Sequence, residues 1–215
     1  MNKAILVTIL SAAAGSVVAQ DVYTGLDVDY TYIGFADITL PENQDRMTDN
    51  VWITRDIIRG IFNAAQEEGF TGQGGSSPSP IGTAWAAGSA ADYQSLTFGT
   101  WGSVHGGSPS SLIGQDLAVH LVDDDIYIDL RFTAWGSGAG TGGSFAYLRS
   151  DIPAPCNIAD NAMPLGVLDL ADIQGFISAY LSGKILPEAD LAEPFGVYDL
   201  ADIHAFIGAF LDGCP

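Results

Sequence analysis

The sequence predicts an all-β sandwich or jelly roll followed by a small all-α helical pair. Residues 20–150 run as short apolar stretches broken by Gly, Ser, Thr, Asn and Asp, with no sustained helical period. Residues 156–215 change to a tandem repeat of period 30, in which twelve of the eighteen positions from Gly166 to Gly183 are identical to those from Gly196 to Gly213. At 215 residues, 47% hydrophobic and 15% charged, the chain is long and apolar enough to bury a core in one or two domains.

Eight strands are expected in the first part: Tyr30 to Phe35, Asn50 to Thr54, Gly60 to Ala64, Thr83 to Ala86, Leu96 to Trp101, Leu117 to Val122, Ile126 to Trp135 and Ser144 to Arg149. The clearest is Ile126 to Trp135. There Ile126, Ile128, Leu130, Phe132 and Ala134 alternate with Tyr127, Asp129, Arg131, Thr133 and Trp135, the period of a sheet with one buried face. Asp123, Asp124 and Asp125 join it to the preceding strand as a solvated hairpin turn. In this register His120 shares the face of Ile128, Asp129 is an exposed ion-pair partner of Arg131, and His105 lies in an exposed loop.

Charge and cysteines set the compartment. Seven Lys and Arg stand against 26 Asp and Glu, a net charge of -19, which removes the electrostatic footprint that nucleic acid or an anionic membrane needs. Lys3, the apolar Ala4 to Leu10 and the small residues up to Val17 and Ala19 read as a signal peptide over 1–19. A secreted protein, extracellular or held at the cell surface, is expected. No later run approaches the roughly 18 apolar residues of a transmembrane segment. In an oxidising compartment Cys156 and Cys214 most simply form one disulfide, with two free thiols as the competing reading.

After a linker over 151–155, each repeat combines an acidic loop with an amphipathic helix. Ile173, Phe176, Ile177, Tyr180 and Leu181, with Ile203, Phe206, Ile207, Phe210 and Leu211, recur at spacings of three and four, so the helices are expected to pack these stripes against each other. The loops hold Asp160, Asn161, Asp169 and Asp172, then Asp190, Glu193, Asp199 and Asp202, around Gly166 and Gly196. Gly-x-x-Asp-x-x-Asp supplies the latter half of a calcium loop. The same Asp169, Asp172, Asp199 and Asp202 also serve as helix caps, and both readings stand at this point.

The segment from Cys156 to the closing Gly213-Cys214-Pro215 resembles a dockerin of the Gly-Cys-Pro-ending form carried by secreted planctomycete-type bacterial proteins. The resemblance implies calcium as a cofactor and a cohesin-like or other cell-surface protein as partner, met through Leu170, Ile173, Leu200 and Ile203. The first half of each loop departs from the family pattern: Asp160 and Asp190 stand six residues before their glycines, and Met163, Leu165, Pro194 and Phe195 replace oxygen-bearing side chains. Any calcium site is expected to be weak or partial. Residues 20–150 resemble an uncharacterised secreted β domain of marine bacteria, which carries over no activity.

The β half contains no Gly-x-Ser-x-Gly elbow, His-Glu-x-x-His helix or phosphate loop, so no catalytic residue is assigned. Trp135 and Tyr127 are candidates for stacking on a polysaccharide. The leading expectation is a binding or structural protein displayed through its C-terminal module. The rivals are a polysaccharide-active enzyme, glycoside hydrolase or lyase, working through paired carboxylates, and an architectural protein with a degenerate module.

Overall fold

The computed structural model describes residues 21–72, 77–162 and 165–214. The expected signal peptide and Met163 lie outside these residues. Among the described residues nine strands form two sheets: β1 (Asp21–Tyr23), β2 (Val28–Tyr32), β3 (Asp45–Arg46), β4 (Trp52–Arg55), β5 (Ile61–Asn63), β6 (Thr83–Ala87), β7 (Leu117–Leu121), β8 (Ile126–Trp135) and β9 (Phe145–Arg149). The larger sheet runs β2-β9-β8-β7-β6, with β1 added parallel to the first residues of β8. The smaller runs β3-β4-β5. Ile53 and Ile61 from the small sheet, with Val51 just before β4, share one buried cluster with Trp85, Val119, Ile128, Leu130, Phe132, Phe145 and Tyr147 from the large one. The chain is thus β-rich before residue 150, with two sheets around a common core.

Under that core lies a buried ion pair. Asp45 accepts from Arg149 Nε at 2.7 Å and Nη2 at 2.8 Å, and from the Tyr147 hydroxyl at 2.6 Å. Burial works against the Arg149 charge, but the Asp45 carboxylate outweighs it and holds the guanidinium pKa above its ordinary value. The pair joins the small sheet to the large one.

The expected hairpin forms, with Leu121 opposite Ile126, but its register places Val119 opposite Ile128 and His120 opposite Tyr127. His120 therefore occupies the other face, stacked on Tyr127 at 4.1 Å, with Asp125 3.0 Å from its Nε2. That face is covered as well. Residues 90–98 fold over it, burying Ala118 and Tyr127 with Tyr93 and Phe98, and Asp129 anchors the cover by accepting from Ala90 N and Ser89 Oγ. Asp129 is thus a positioning acceptor, and Arg131 pairs with Asp116 instead.

Three further expectations change. Leu96 to Trp101 forms no strand: Gly99 makes an isolated bridge to Trp85, and Thr100 then caps a short helix, α1 (Trp101–His105). His105 ends that helix and is buried, not looped into solvent. In β8 a bulge falls between Phe132 and Ala134, so that Phe132 pairs with Tyr147 but Trp135 with Phe145. The extra residue brings Trp135 onto the core face, the opposite of what simple alternation predicts.

The remaining long helices, α2 (Leu170–Leu181) and α3 (Leu200–Asp212), belong to the two repeats. Phe176 and Phe206 are buried between them, with Ala159, Ala179 and Ala189. Cys156 and Cys214 are joined in a disulfide that closes the module across 58 positions.

Candidate functional site

In each repeat the last two acids of the loop are used on the helix N-terminus. Asp169 caps α2, its Oδ1 accepting from Ala171 N at 2.6 Å, and Asp172 reaches back to accept from Asp169 N at 2.8 Å, the reciprocal capping box. The other Asp172 oxygen accepts from Asn161 N and Ala162 N, both at 2.9 Å. Asp199 and Asp202 repeat this with Ala201, Leu191 and Ala192. Asp172 and Asp202 are fully buried. Backbone donors, led by Asp199 N–H, hold the Asp202 carboxyl below its ordinary pKa.

The first acid of each loop closes the turn. Asp160 Oδ2 accepts from Gly166 N at 2.7 Å and Cys156 N at 2.7 Å, and Asp190 Oδ2 accepts from Gly196 N at 2.8 Å. Gly166 and Gly196 sit at φ 82° and 87°, a conformation that strains any side-chain-bearing residue, which is why glycine recurs there. Peptide N–H groups thus close both loops around carboxylates.

Calcium needs six to eight oxygens converging on one point. Asp160 Oδ1, Asn161 Oδ1 and Asp190 Oδ1 are buried without a partner among the described residues. The tightest grouping of candidate ligand atoms among the described residues is Cys156, Asp160 and Cys214, within 4.8 Å, and both sulfurs are spent in the disulfide. Neither loop gathers three carboxylates that closely among the described residues. The donor set fits calcium only in part. Glu193, adjoining Pro194, has no hydrogen bond to the loop among the described residues.

The helices carry the other feature. Leu170 and Leu200 are 64% and 62% exposed, and Leu181 and Leu211 are 76% and 78% exposed. Ile177 and Ile207, with Val167 and Val197, are exposed in the same pairwise manner. Positions 170, 177 and 181 recur at seven and four, one continuous helix face, and 200, 207 and 211 duplicate it. Ile173 and Ile203, expected on this surface, are instead half-buried against the Phe176 cluster. Ile177, Leu181, Ile207 and Leu211, expected inside, face out.

In the β domain the stacking candidates separate. Tyr127 is buried by Tyr93, Phe98 and His120 and presents no platform. Trp135 is half-buried, and the Arg55 guanidinium lies 3.7 Å over its ring, covering one face. A cavity of about 620 Å³ beside the linker is lined by Asp49, Asp124, Trp52 and Pro153. Asp124 there accepts from Thr48 Oγ1 at 2.7 Å and Asn50 Nδ2 at 2.8 Å. Among the described residues no helix is long and apolar enough to cross a membrane. Comparison with family models, with characterised proteins and with solved structures returns no match to this chain.

Proposed function

We propose that this is a secreted, surface-anchored binding or structural protein whose C-terminal helical pair docks onto a partner protein and displays the β-rich domain. The observation that carries the reading is the duplicated exposed stripe of Leu170, Ile177 and Leu181 and of Leu200, Ile207 and Leu211. Large apolar side chains left in water at equivalent positions of two helices mark a surface whose burial awaits association. Around them the module carries nine carboxylates against Lys184 alone. The fitting occupant is a cohesin-like or other cell-surface protein whose apolar face is bordered by Lys and Arg.

The loops support this role by fixing the helix entries through peptide hydrogen bonds. Calcium is a subsidiary proposal, resting on the unpartnered oxygens of Asp160, Asn161 and Asp190. A polysaccharide-active enzyme is the second reading, favoured by Asp49 and Asp124 on one cavity with Trp52. Immobilised full-length protein and its Leu181→Asp/Leu211→Asp variant, exposed to cell-surface proteins, test the docking reading. A partner retained by the parent and lost by the equally stable variant supports docking; equal retention sinks it.

A further inference from the structure

A second cavity, of about 350 Å³, lies at the end of the β domain formed by β4, α1 and the end of β8. Its lining includes Arg55, Arg59, Phe70, Trp101, His105 and Trp135, and none of its lining residues is an acid. In a chain with 26 acidic residues and seven basic ones, that concentration of cationic groups sets this cavity apart from the rest of the surface.

Arg55 is the decisive group. It is 4% exposed, and its guanidinium donates to four backbone carbonyls: Arg59 O from Nε, and Gly136 O, Gly143 O and Ser144 O from Nη1. It forms no ion pair with a carboxylate among the described residues. Burial lowers its pKa to about 10, which still leaves it charged at neutral pH. Backbone carbonyl dipoles and the Trp135 ring hold this buried cation, but with no carboxylate partner and no acceptor on Nη2 among the described residues it lacks a counter-ion. Arg149, the other buried arginine, has Asp45.

Neighbouring donors point the same way. His105 Nδ1 accepts from Gly107 N at 2.9 Å, which places the ring proton on Nε2, and burial lowers the pKa of the ring, keeping it a neutral donor. Trp101 Nε1–H is buried with no acceptor among the described residues. Arg59 is exposed, and its side chain makes no hydrogen bond or ion pair among the described residues. Ile58 and Phe70 supply apolar surface beside these donors, and Ser137 a hydroxyl.

We infer that this cavity binds a single acidic sugar unit, a pyranose bearing one carboxylate or sulfate, at the end of a glycan. The acidic substituent answers Arg55 and Arg59, the ring's apolar face meets Phe70 and Ile58, and its hydroxyls meet Ser137 and the His105 and Trp101 donors. A long polyanion does not fit, because the remaining surface of the chain is strongly negative and repels it. The inference concerns the displayed domain and stands independently of what the helical pair docks onto.

The test titrates the full-length protein with glucuronate, galactose 6-sulfate and glucose, following tryptophan fluorescence and calorimetric heat. An acidic sugar is expected to bind at least about tenfold more tightly than glucose. Arg59→Gln, at an exposed position whose side chain makes no hydrogen bond or ion pair among the described residues, is expected to abolish that preference with an unchanged melting temperature, and Arg59→Lys to keep most of it. The two acidic arms distinguish carboxylate from sulfate. No binding of either acidic sugar, equal binding of glucose, or an undiminished response in Arg59→Gln would overturn the inference.

Discussion

Phe176 stacks on Phe206 with ring centroids 4.2 Å apart and planes 14° from parallel, each residue meeting its own counterpart one repeat away. The duplicated sequence therefore closes on itself through a near-symmetric contact. Phe176→Ala and Phe206→Ala are each expected to cost about 3–5 kcal/mol, and by similar amounts. All four tryptophans lie in the β domain, so the helical circular-dichroism signal follows the module while tryptophan fluorescence follows the β domain. Loss of the first transition with the second retained is the expected result in both variants.

The disulfide is the module's second support. Closing a loop of 58 positions removes unfolded-state entropy corresponding to about 4 kcal/mol on the chain-entropy model. Few buried residues hold the module otherwise, chiefly Ala159, Phe176, Ala179, Ala189 and Phe206. Reductant, or a Cys156→Ser/Cys214→Ser variant, is expected to melt the helices at ordinary temperature and leave the fluorescence transition in place. A helical transition indifferent to reductant would contradict this.

Acid is expected to unfold the same module. The N–H of Asp199 is the chief cause of the lowered Asp202 pKa, with Ala192 and Leu191 adding to it. Protons consequently bind the unfolded chain more readily than the folded one, so the stability Asp202 contributes is complete above the ordinary value of 3.8 and is lost as pH falls through its lower folded value. Helical melting temperatures measured from neutral pH downward should hold level and then fall below about pH 4. Asp202→Asn, unable to supply two acceptor oxygens, should start lower and decline less steeply.

These supports show what was legible in the sequence. The period of 30 marks both helices and their glycine turns, because these are written in adjacent residues, whereas Asp169, Asp172, Asp199 and Asp202 read in the sequence as calcium ligands or as caps. The choice of buried face is not local. Each helix carries an apolar stripe wide enough for two neighbours but has one, so Phe176 and Phe206 are buried while Leu181 and Leu211 are left outside. In β8 the alternation holds as far as Phe132, and the bulge beyond it reverses Trp135, since an inserted residue leaves no mark on a count of period two. The cationic cavity was invisible because it joins Arg55, Trp101 and Trp135, residues brought together only by the folded chain.

The buried pair of Asp45 and Arg149 gives a stability prediction for the β domain. Asp45 accepts three charge-assisted or hydroxyl bonds, and its loss strands the Arg149 cation and the Tyr147 hydroxyl in a buried site. Asp45→Ala is expected to destabilise the domain by about 3–5 kcal/mol, read from the fluorescence transition in denaturant. Truncating the exposed Asp116, which pairs with Arg131 in solvent, should change it by less than about 1 kcal/mol.

Calcium gives the last prediction, and the loops decide its direction. A loop that folds only around a cation needs its carboxylates free for the ion, whereas here both oxygens of Asp172 and of Asp202 already accept peptide N–H groups. Those bonds satisfy the helix N-termini whether or not an ion is bound, so the helical signal and its melting temperature are expected to be unchanged between excess calcium and excess chelator. Asp160 Oδ1, Asn161 Oδ1 and Asp190 Oδ1, unpartnered among the described residues and divided between two loops, offer too few buried oxygens for tight binding, and calorimetric titration with calcium should show weak binding. A chelator-induced loss of helix would show that the cation, not the peptide hydrogen bonds, closes these loops.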